Sequence, residues 1–415
     1  MSVTLEYSDK FPSESSSVQD VPPMELGGRR HAQFVSRKIK GPVEKPWKDR
    51  KVPRSEKWSN YIIWAGWVVG LLVAAAFAYL ETAKYDKHQW CLVFEDNFDT
   101  FNMDTWNHDI GLGGWGVSSF EWTTADPENS WVENGALHMK PTLNDPNQYK
   151  EGDMVNLTAT GECTAPYDAI DDPCVAYVNS TQGRSINPFK SSRLTTKDKF
   201  SFMYGKIEMR AKMPQGDWLW AAFWMLPTTN TYGGWPFSGE IDIIEMRGNN
   251  YTYVFAGGFP AGNNVMNSAI HAGVSYDAHI HQTQKALGSE WHIYGMIWTE
   301  KYIKTYIDNE LRTVIRVDFE QGALFQQGQS SNLSAPFDQE FYLILNNAVG
   351  SANRYFSEEQ GSPDKPWQDG SLRLGGMREM YEHRDLWLPS WENGRSEMVI
   401  DYIKVWQDCS KTKKR

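Results

Sequence analysis

Three carboxylates stand within six residues of the segment SGEIDIIEMRGNN, at Glu240, Asp242 and Glu245. Two carboxyls that face one glycosidic bond can break it, one attacking the anomeric carbon and the other protonating the leaving oxygen. Retention of configuration needs the pair about 5 to 5.5 Å apart. The intervening Ile241, Ile243 and Ile244 make the segment read as a β-strand. In a regular strand Glu240 and Asp242 share a face with position 244, and Glu245 points the other way. One extra residue between Asp242 and Glu245, a β-bulge, turns Glu245 onto the face of the other two and leaves the isoleucines to the core. The alternative is an amphipathic strand with its acids on a solvated face. Like charges at neighbouring same-face positions destabilise a sheet, however, and edge strands more usually take Lys for protection.

Indoles approach the triplet from one side. Trp218, Trp220, Trp224 and Trp235 all lie in GDWLWAAFWMLPTTNTYGGWPFSGE. Some of these belong to a core, and others offer flat apolar faces of the kind that stack on sugar rings. Composition is in keeping with this: of 415 residues, 14% are aromatic. A formal net charge of −11 argues against a nucleic-acid partner, which would be bound by clustered Lys and Arg. The sequence has no P-loop, no G-x-G-x-x-G and no nucleophile elbow. His279 and His281, in HIH, have no third ligand at metal spacing and are expected in a solvated loop. No cofactor is called for.

The elements that must position the acids span residues 91–409, which read as a single all-β domain. SWVENGALHMKP turns at Asn134-Gly135, YIKTYIDNELRTVIRV turns near Asp308-Asn309, and FYLILNNAVG and MVIDYIKVW are further strands. Helical periodicity is scarce, and many hairpin-linked strands predict a two-sheet sandwich of the jelly-roll type. Four cysteines allow three pairings. If the first and last strands are neighbours, Cys91 can bridge to Cys409 and Cys163 to Cys174.

Upstream, residues 1–57 are rich in Ser, Pro and charge without a sustained apolar period, and are expected to be disordered. Residues 61–80, YIIWAGWVVGLLVAAAFAYL, supply the roughly 20 uncharged apolar residues that cross a bilayer as a helix. A buried core helix rarely carries so long an uncharged run, and a cleaved signal peptide would start nearer Met1 and be shorter. Arg37, Lys38, Lys40, Lys45, Lys48, Arg50, Lys51, Arg54 and Lys57 precede the span, and Lys84 and Lys87 are the only basic residues close behind it. The positive-inside rule therefore makes it a signal-anchor with a cytosolic tail, a type II single-pass arrangement in the plasma membrane or secretory pathway. All four cysteines and the glycosylation sequons at Asn156, Asn179, Asn250 and Asn332 then face the oxidising side.

The E-x-D-x-x-E pattern of SGEIDIIEMRGN resembles that of the laminarinase-like branch of glycoside hydrolase family 16. LVFEDNFD, WVENGALHMKPT, FSFMYGKIEMRAKMPQGDWLWAAFWMLP, YGGWPFSGE, HIYGMIWTEKYIKTYIDNE, FYLILNNAVG, LWLPSW and MVIDYIKVWQ are similar, in order, to successive blocks of that branch and of the related animal β-1,3-glucan recognition proteins. The resemblance covers nearly all of residues 91–409. It implies a concave jelly-roll with an open cleft and a retaining endo-acting attack on β-1,3 or mixed β-1,3/1,4 glucans. Glu240 then matches the nucleophile, Glu245 the general acid/base and Asp242 the acid between them, whose charge is expected to help raise the Glu245 pKa. Trp235, with Trp220 and Trp224, is expected to bind substrate, and His271 falls where the family usually has a cleft-facing His. The sequence departs from the family pattern at Ala272 and Val274, and it lacks an Arg near Ala125 or Asp126. Some relatives hold a structural calcium ion, for which no ligand set is evident here. A cell-wall glucan transglycosylase would use the same residues, and its type II topology resembles the glucan-synthesis-associated membrane proteins of yeasts. A non-catalytic glucan receptor would not need the paired acids.

The topology is checked by adding protease to sealed microsomes. The tail alone should be trimmed and the glycosylated β-domain protected; digestion of the β-domain would reverse the orientation.

Overall fold

Side-chain alternation decides where the sheets lie. Along Gly205–Lys212 buried and half-buried residues alternate without a break, so Ile207, Met209 and Ala211 enter the core and Lys206, Glu208, Arg210 and Lys212 face outward. The computed structural model describes residues 41–48, 51–83, 88–166, 172–273, 275–281, 286–320, 332–357, 365–368 and 370–412. The chain divides into two units, Met1–Asp86 and Lys87–Arg415.

The second unit is an all-β sandwich, in keeping with the jelly-roll expectation. One sheet runs in the order Thr313–Asp318, Tyr302–Ile307, His292–Trp298, Gly205–Lys212, Met398–Asp408, Ala136–Met139 and Ser130–Glu133, with Trp90–Asp96 also paired to Met398–Asp408. The other runs Ser275–His281, Val265–His271, Glu240–Arg247, Leu219–Pro227, Phe341–Val349, Arg193–Thr195 and Asn107–His108, with Ser201–Phe202 also on Phe341–Val349. Inner residues of both sheets form one core, among them Met209, Phe223, Ile243, Leu345 and Ile403, each without exposed surface. The predicted turn at Asn134-Gly135 is a two-residue hairpin with φ of 53° and 71°, which the right-handed strand twist favours. Asp308 likewise turns the next predicted hairpin at φ 65°. The first and last strands pair, with Trp90 opposite Asp408, and disulfides join Cys91 to Cys409 and Cys163 to Cys174.

Several expectations are corrected. His279 and His281 belong to the strand Ser275–His281, not to a loop, because alternation with Tyr276, Ala278 and Ile280 suits a ladder along Val265–His271. Helix is less scarce than the sequence implied: Arg373–Glu382 buries Met377, Met380 and Tyr381 in a second cluster with Phe120, Trp218 and Trp367. The apolar helix runs from Arg54 to Ala83, beyond both ends of the predicted 61–80. The Pro53 carbonyl accepts from Glu56 N and Lys57 N, so the helix starts inside the expected tail. It is long and apolar enough to cross a membrane, and its described side chains are all exposed. Most of the tail read as disordered, residues 1–40 and 49–50, lies outside the described residues. Of the sequons, Asn250 and Asn332 are exposed, while Asn156 and Asn179 cap short helical turns by accepting from Ala159 N and Gln182 N.

The ladder is interrupted where the sequence required it. On one side Phe223 pairs with Ile244 and Trp224 with Asp242; on the other, the register shifts between Asp242 and Glu245. Ile243 is the extra residue. Its buried carbonyl accepts from Ser268 Oγ at 2.7 Å, and Ser268 Oγ accepts in turn from Thr305 Oγ1 of the opposite sheet at 2.9 Å. Removing the Ser268 hydroxyl takes this hydrogen bond out of the core, which costs about 0.5–1.5 kcal/mol. Ser268→Ala should lower stability by that amount in urea denaturation. A change below about 0.5 kcal/mol would show that the bulge does not depend on this contact.

Candidate active site

The bulge sorts the acidic strand into two sets. Ile241, Ile243, Ile244 and Met246 are fully buried in the core, whereas Glu240, Asp242 and Glu245 all line a cavity of about 1010 Å³. Gly239 sets the strand's entry. Its φ of 94° is closed to most side chains, and a Cβ there would meet the rings of Phe337 and Phe341 at 3.0 and 3.1 Å. The preceding loop is braced by Ser238 Oγ, which donates to Gly233 O at 2.6 Å and accepts from Tyr232 N at 3.0 Å.

Each acid has its own partner. Trp235 is 65% exposed, yet its Nε1 donates to Glu240 Oε2 at 2.9 Å. Trp220 is 8% exposed, and its Nε1 donates to Glu245 Oε1 at 2.8 Å. His271, opposite Glu240 on the neighbouring strand, places Nε2 3.2 Å from Asp242 Oδ2 and 3.8 Å from Glu240 Oε1. It reaches the acids and is not among the residues that line the cavity. One ligand atom each of Glu240, Asp242 and His271 lies within 4.8 Å of the others, close enough to hold one cation between them. Trp224 lines the cavity, and its Nε1 donates to Asn346 Oδ1 at 2.7 Å. Trp218, by contrast, is wholly in the core.

Sequence reasoning missed the rest of the wall. Arg193 is held by Asp109 at 3.0 Å, with its guanidinium 4.5 Å from the Trp115 ring and 4.8 Å from that of Trp224. Cation–π stacking between residues so distant in sequence leaves no local pattern to read. Glu121 is a further carboxyl on the wall, but its oxygens accept from Ser119 Oγ and Val349 N at 2.8 and 2.9 Å, and burial pushes its pKa up. The Cys163–Cys174 loop brings Thr164, Ala165, Pro166 and Pro173 to the cavity; it docks on Gly113, where a Cβ would stand 2.7 Å from that of Pro173. Only the cysteine spacing hinted at such a closed loop.

The electrostatics single out Glu240. Burial first, and then the Asp242 charge, hold the Glu240 carboxyl well above the usual carboxylate range; His271 opposes the rise, Glu245 adds to it and the Trp235 N–H opposes it. Sequence reasoning did not foresee this rise at Glu240, which follows from burial together with the neighbouring Asp242.

Paired carboxyls and indoles around one cavity of a β-sandwich are the features of a carbohydrate-binding cleft. The model of glycosyl hydrolases family 16 matches residues 140–336. A beta-1,3-glucan-binding protein of Penaeus monodon is 34% identical over 344 residues, covering 76% of this chain and 90% of that protein. Glucan endo-1,3-beta-glucosidase A1 of Niallia circulans is 30% identical over 274 residues, covering 62% of this chain and 34% of that protein. The laminarinase of Rhodothermus marinus shares the fold with a TM-score of 0.50 at 25% identity, over 78% of this chain and 99% of that one. The chain belongs to glycosyl hydrolase family 16.

The charge balance is open to a direct check by NMR titration of 13C-labelled Glu carboxyls. Glu240 should titrate above the ordinary value of about 4.3. Asp242→Asn removes a negative neighbour, eases ionisation and should move the midpoint down, whereas His271→Asn should move it up. A wild-type midpoint in the ordinary range would contradict the assignment.

Proposed function

We propose that the protein is a membrane-anchored, retaining endo-β-1,3-glucanase. The observation that carries this reading is the bulge at Ile243, which turns Glu240 and Glu245 onto one cavity face with an indole N–H on each. Glu240 attacks the anomeric carbon as the proton of Glu245 passes to the leaving oxygen, so that the glycosidic bond breaks and a glycosyl ester forms. Glu245 then takes a proton from water, the water oxygen bonds to the same carbon, and the ester opens to restore Glu240. Asp242 and His271 adjust the charge on Glu240 between these states. The nucleophile must be ionised, so the raised Glu240 pKa sets the acid limb of activity. Trp235, Trp220 and Trp224 offer apolar faces to sugar rings. Retention of both acids favours catalysis over binding alone, because a receptor gains nothing from a carboxylate pair whose repulsion destabilises its sheet.

The remaining elements fit a lumenal or extracellular enzyme. The helix Arg54–Ala83, with its basic residues on the N-terminal side, supports a type II anchor, and the two disulfides support an oxidising compartment. Linear β-1,3-glucan is the expected substrate, and the four sequons are the expected sites of N-glycosylation.

Chemical rescue of the full chain in detergent tests the two roles. Glu240→Ala should abolish turnover of laminari-oligosaccharides, and added azide should restore some cleavage with inverted product. Glu245→Ala should lose about 10²–10⁴-fold on the same substrate, spare glycosyl fluorides, and yield a retained azide adduct. Retained product from the Glu240 variant with inverted product from the Glu245 variant would exchange the roles. Wild-type products longer than the substrate would reveal transfer to sugar acceptors, and binding without any product would leave a receptor.

A further inference from the structure

Glu245 is held by a stack of side chains that no step of the proposed reaction uses. The Trp220 indole N–H can only donate, so Glu245 Oε1 acts as acceptor at that 2.8 Å contact, and a proton carried by Glu245 sits on Oε2. Delivery of the proton in the right direction thus depends on the indole staying in place. Its ring is stacked on Tyr355, with centroids 3.8 Å apart and planes 9° from parallel. The Arg247 guanidinium lies 3.8 Å from the Tyr355 centroid. Since the indole already covers one face at that distance, the guanidinium must cover the other, and Phe255 follows it at 4.6 Å.

Arg247 is fixed at both ends of this arrangement. It is the ladder partner of Trp220, two residues beyond Glu245, and its Nε and Nη2 donate to the Tyr355 carbonyl at 2.9 and 2.6 Å. At 7% exposure it is a buried cation, yet it does not pair with the catalytic acids: its donors go to the backbone of Tyr355 and its charge to two ring faces. A single residue therefore clamps both the ring and the main chain of Tyr355. The Tyr355 hydroxyl has no hydrogen-bond partner among the described residues, so the ring face is what this residue contributes.

The geometry points to Tyr355 and Arg247 as positioning residues: they lock Trp220, and Trp220 fixes the catalytic proton of Glu245 on Oε2. This rests on Glu245 being the general acid/base. A misplaced acid slows reactions that need leaving-group protonation and spares those that do not, a division that loss of packing alone would not produce.

The test compares kcat/KM of the full chain in detergent on a laminari-oligosaccharide and on 2,4-dinitrophenyl β-laminaribioside, whose leaving group departs without a proton. Tyr355→Leu should lose about 30-fold or more on the oligosaccharide and less than about 3-fold on the aryl glycoside. Tyr355→Phe keeps the ring and should stay within about 3-fold on both. Trp220→Phe, which keeps a ring and removes the N–H, should lose at least about 10-fold more on the oligosaccharide than on the aryl glycoside, and serves if Tyr355→Leu does not fold. Equal losses on the two substrates, or none, would overturn the positioning role while leaving the glucanase reading intact. A wild-type chain that cleaves neither substrate would overturn both.

Discussion

The site depends on one extra residue in one strand. Without the bulge at Ile243, regular alternation would put Glu245 on the face of Ile241 and Ile243, sending Glu245 into the core or the two isoleucines out of it. Each fully buried isoleucine contributes about 1.5–3 kcal/mol, so the core resists any register that exposes them. That resistance lets the strand hold three like charges on its other face. At the bulge the Ile243 carbonyl accepts from Ser268 Oγ, which accepts in turn from Thr305 of the opposite sheet. The acids, the isoleucines and a polar link between the two sheets are thus consequences of the same irregularity.

Each of the two Glu residues accepts from a neutral indole N–H. An indole N–H stabilises a carboxylate without cancelling its charge, so each Glu can still gain and lose a proton. A guanidinium in the same place would hold the carboxyl ionised and silence it as an acid. Two arginines near the site illustrate the separation: the half-buried Arg193 pairs with Asp109, and the buried Arg247 donates to the Tyr355 carbonyl. Glu240, enclosed by its loop and next to Asp242, has its carboxyl held well above the usual carboxylate range.

Much of this was legible in the residues. The acid spacing demanded the bulge and placed it between Asp242 and Glu245, the Asn-Gly turn set a hairpin, and pairing of the terminal strands brought Cys91 to Cys409. These are local patterns or direct consequences of period-two geometry. What the sequence did not show is nonlocal or energetic. The Trp220–Tyr355–Arg247 stack joins residues more than 100 positions apart, Ser268 and Thr305 meet only when two sheets face each other, and the bias of charge toward Glu240 depends on burial that no motif states. His279 and His281 were misread because two histidines flanking one isoleucine look like a polar loop, although alternation with Tyr276, Ala278 and Ile280 was there to be read. The helix Arg373–Glu382 was missed because its paired glycines and charged residues mask a short apolar face.

If the bulge sets Glu240 and Glu245 at the separation for double displacement, the sugar released must keep its configuration. Anomeric proton NMR of the first products formed from laminari-oligosaccharides, recorded before mutarotation, tests this most directly. The account predicts the β-anomer at the new reducing end. An α-anomer formed first would mean that water attacks directly and that the two carboxyls stand too far apart for Glu240 to be a nucleophile.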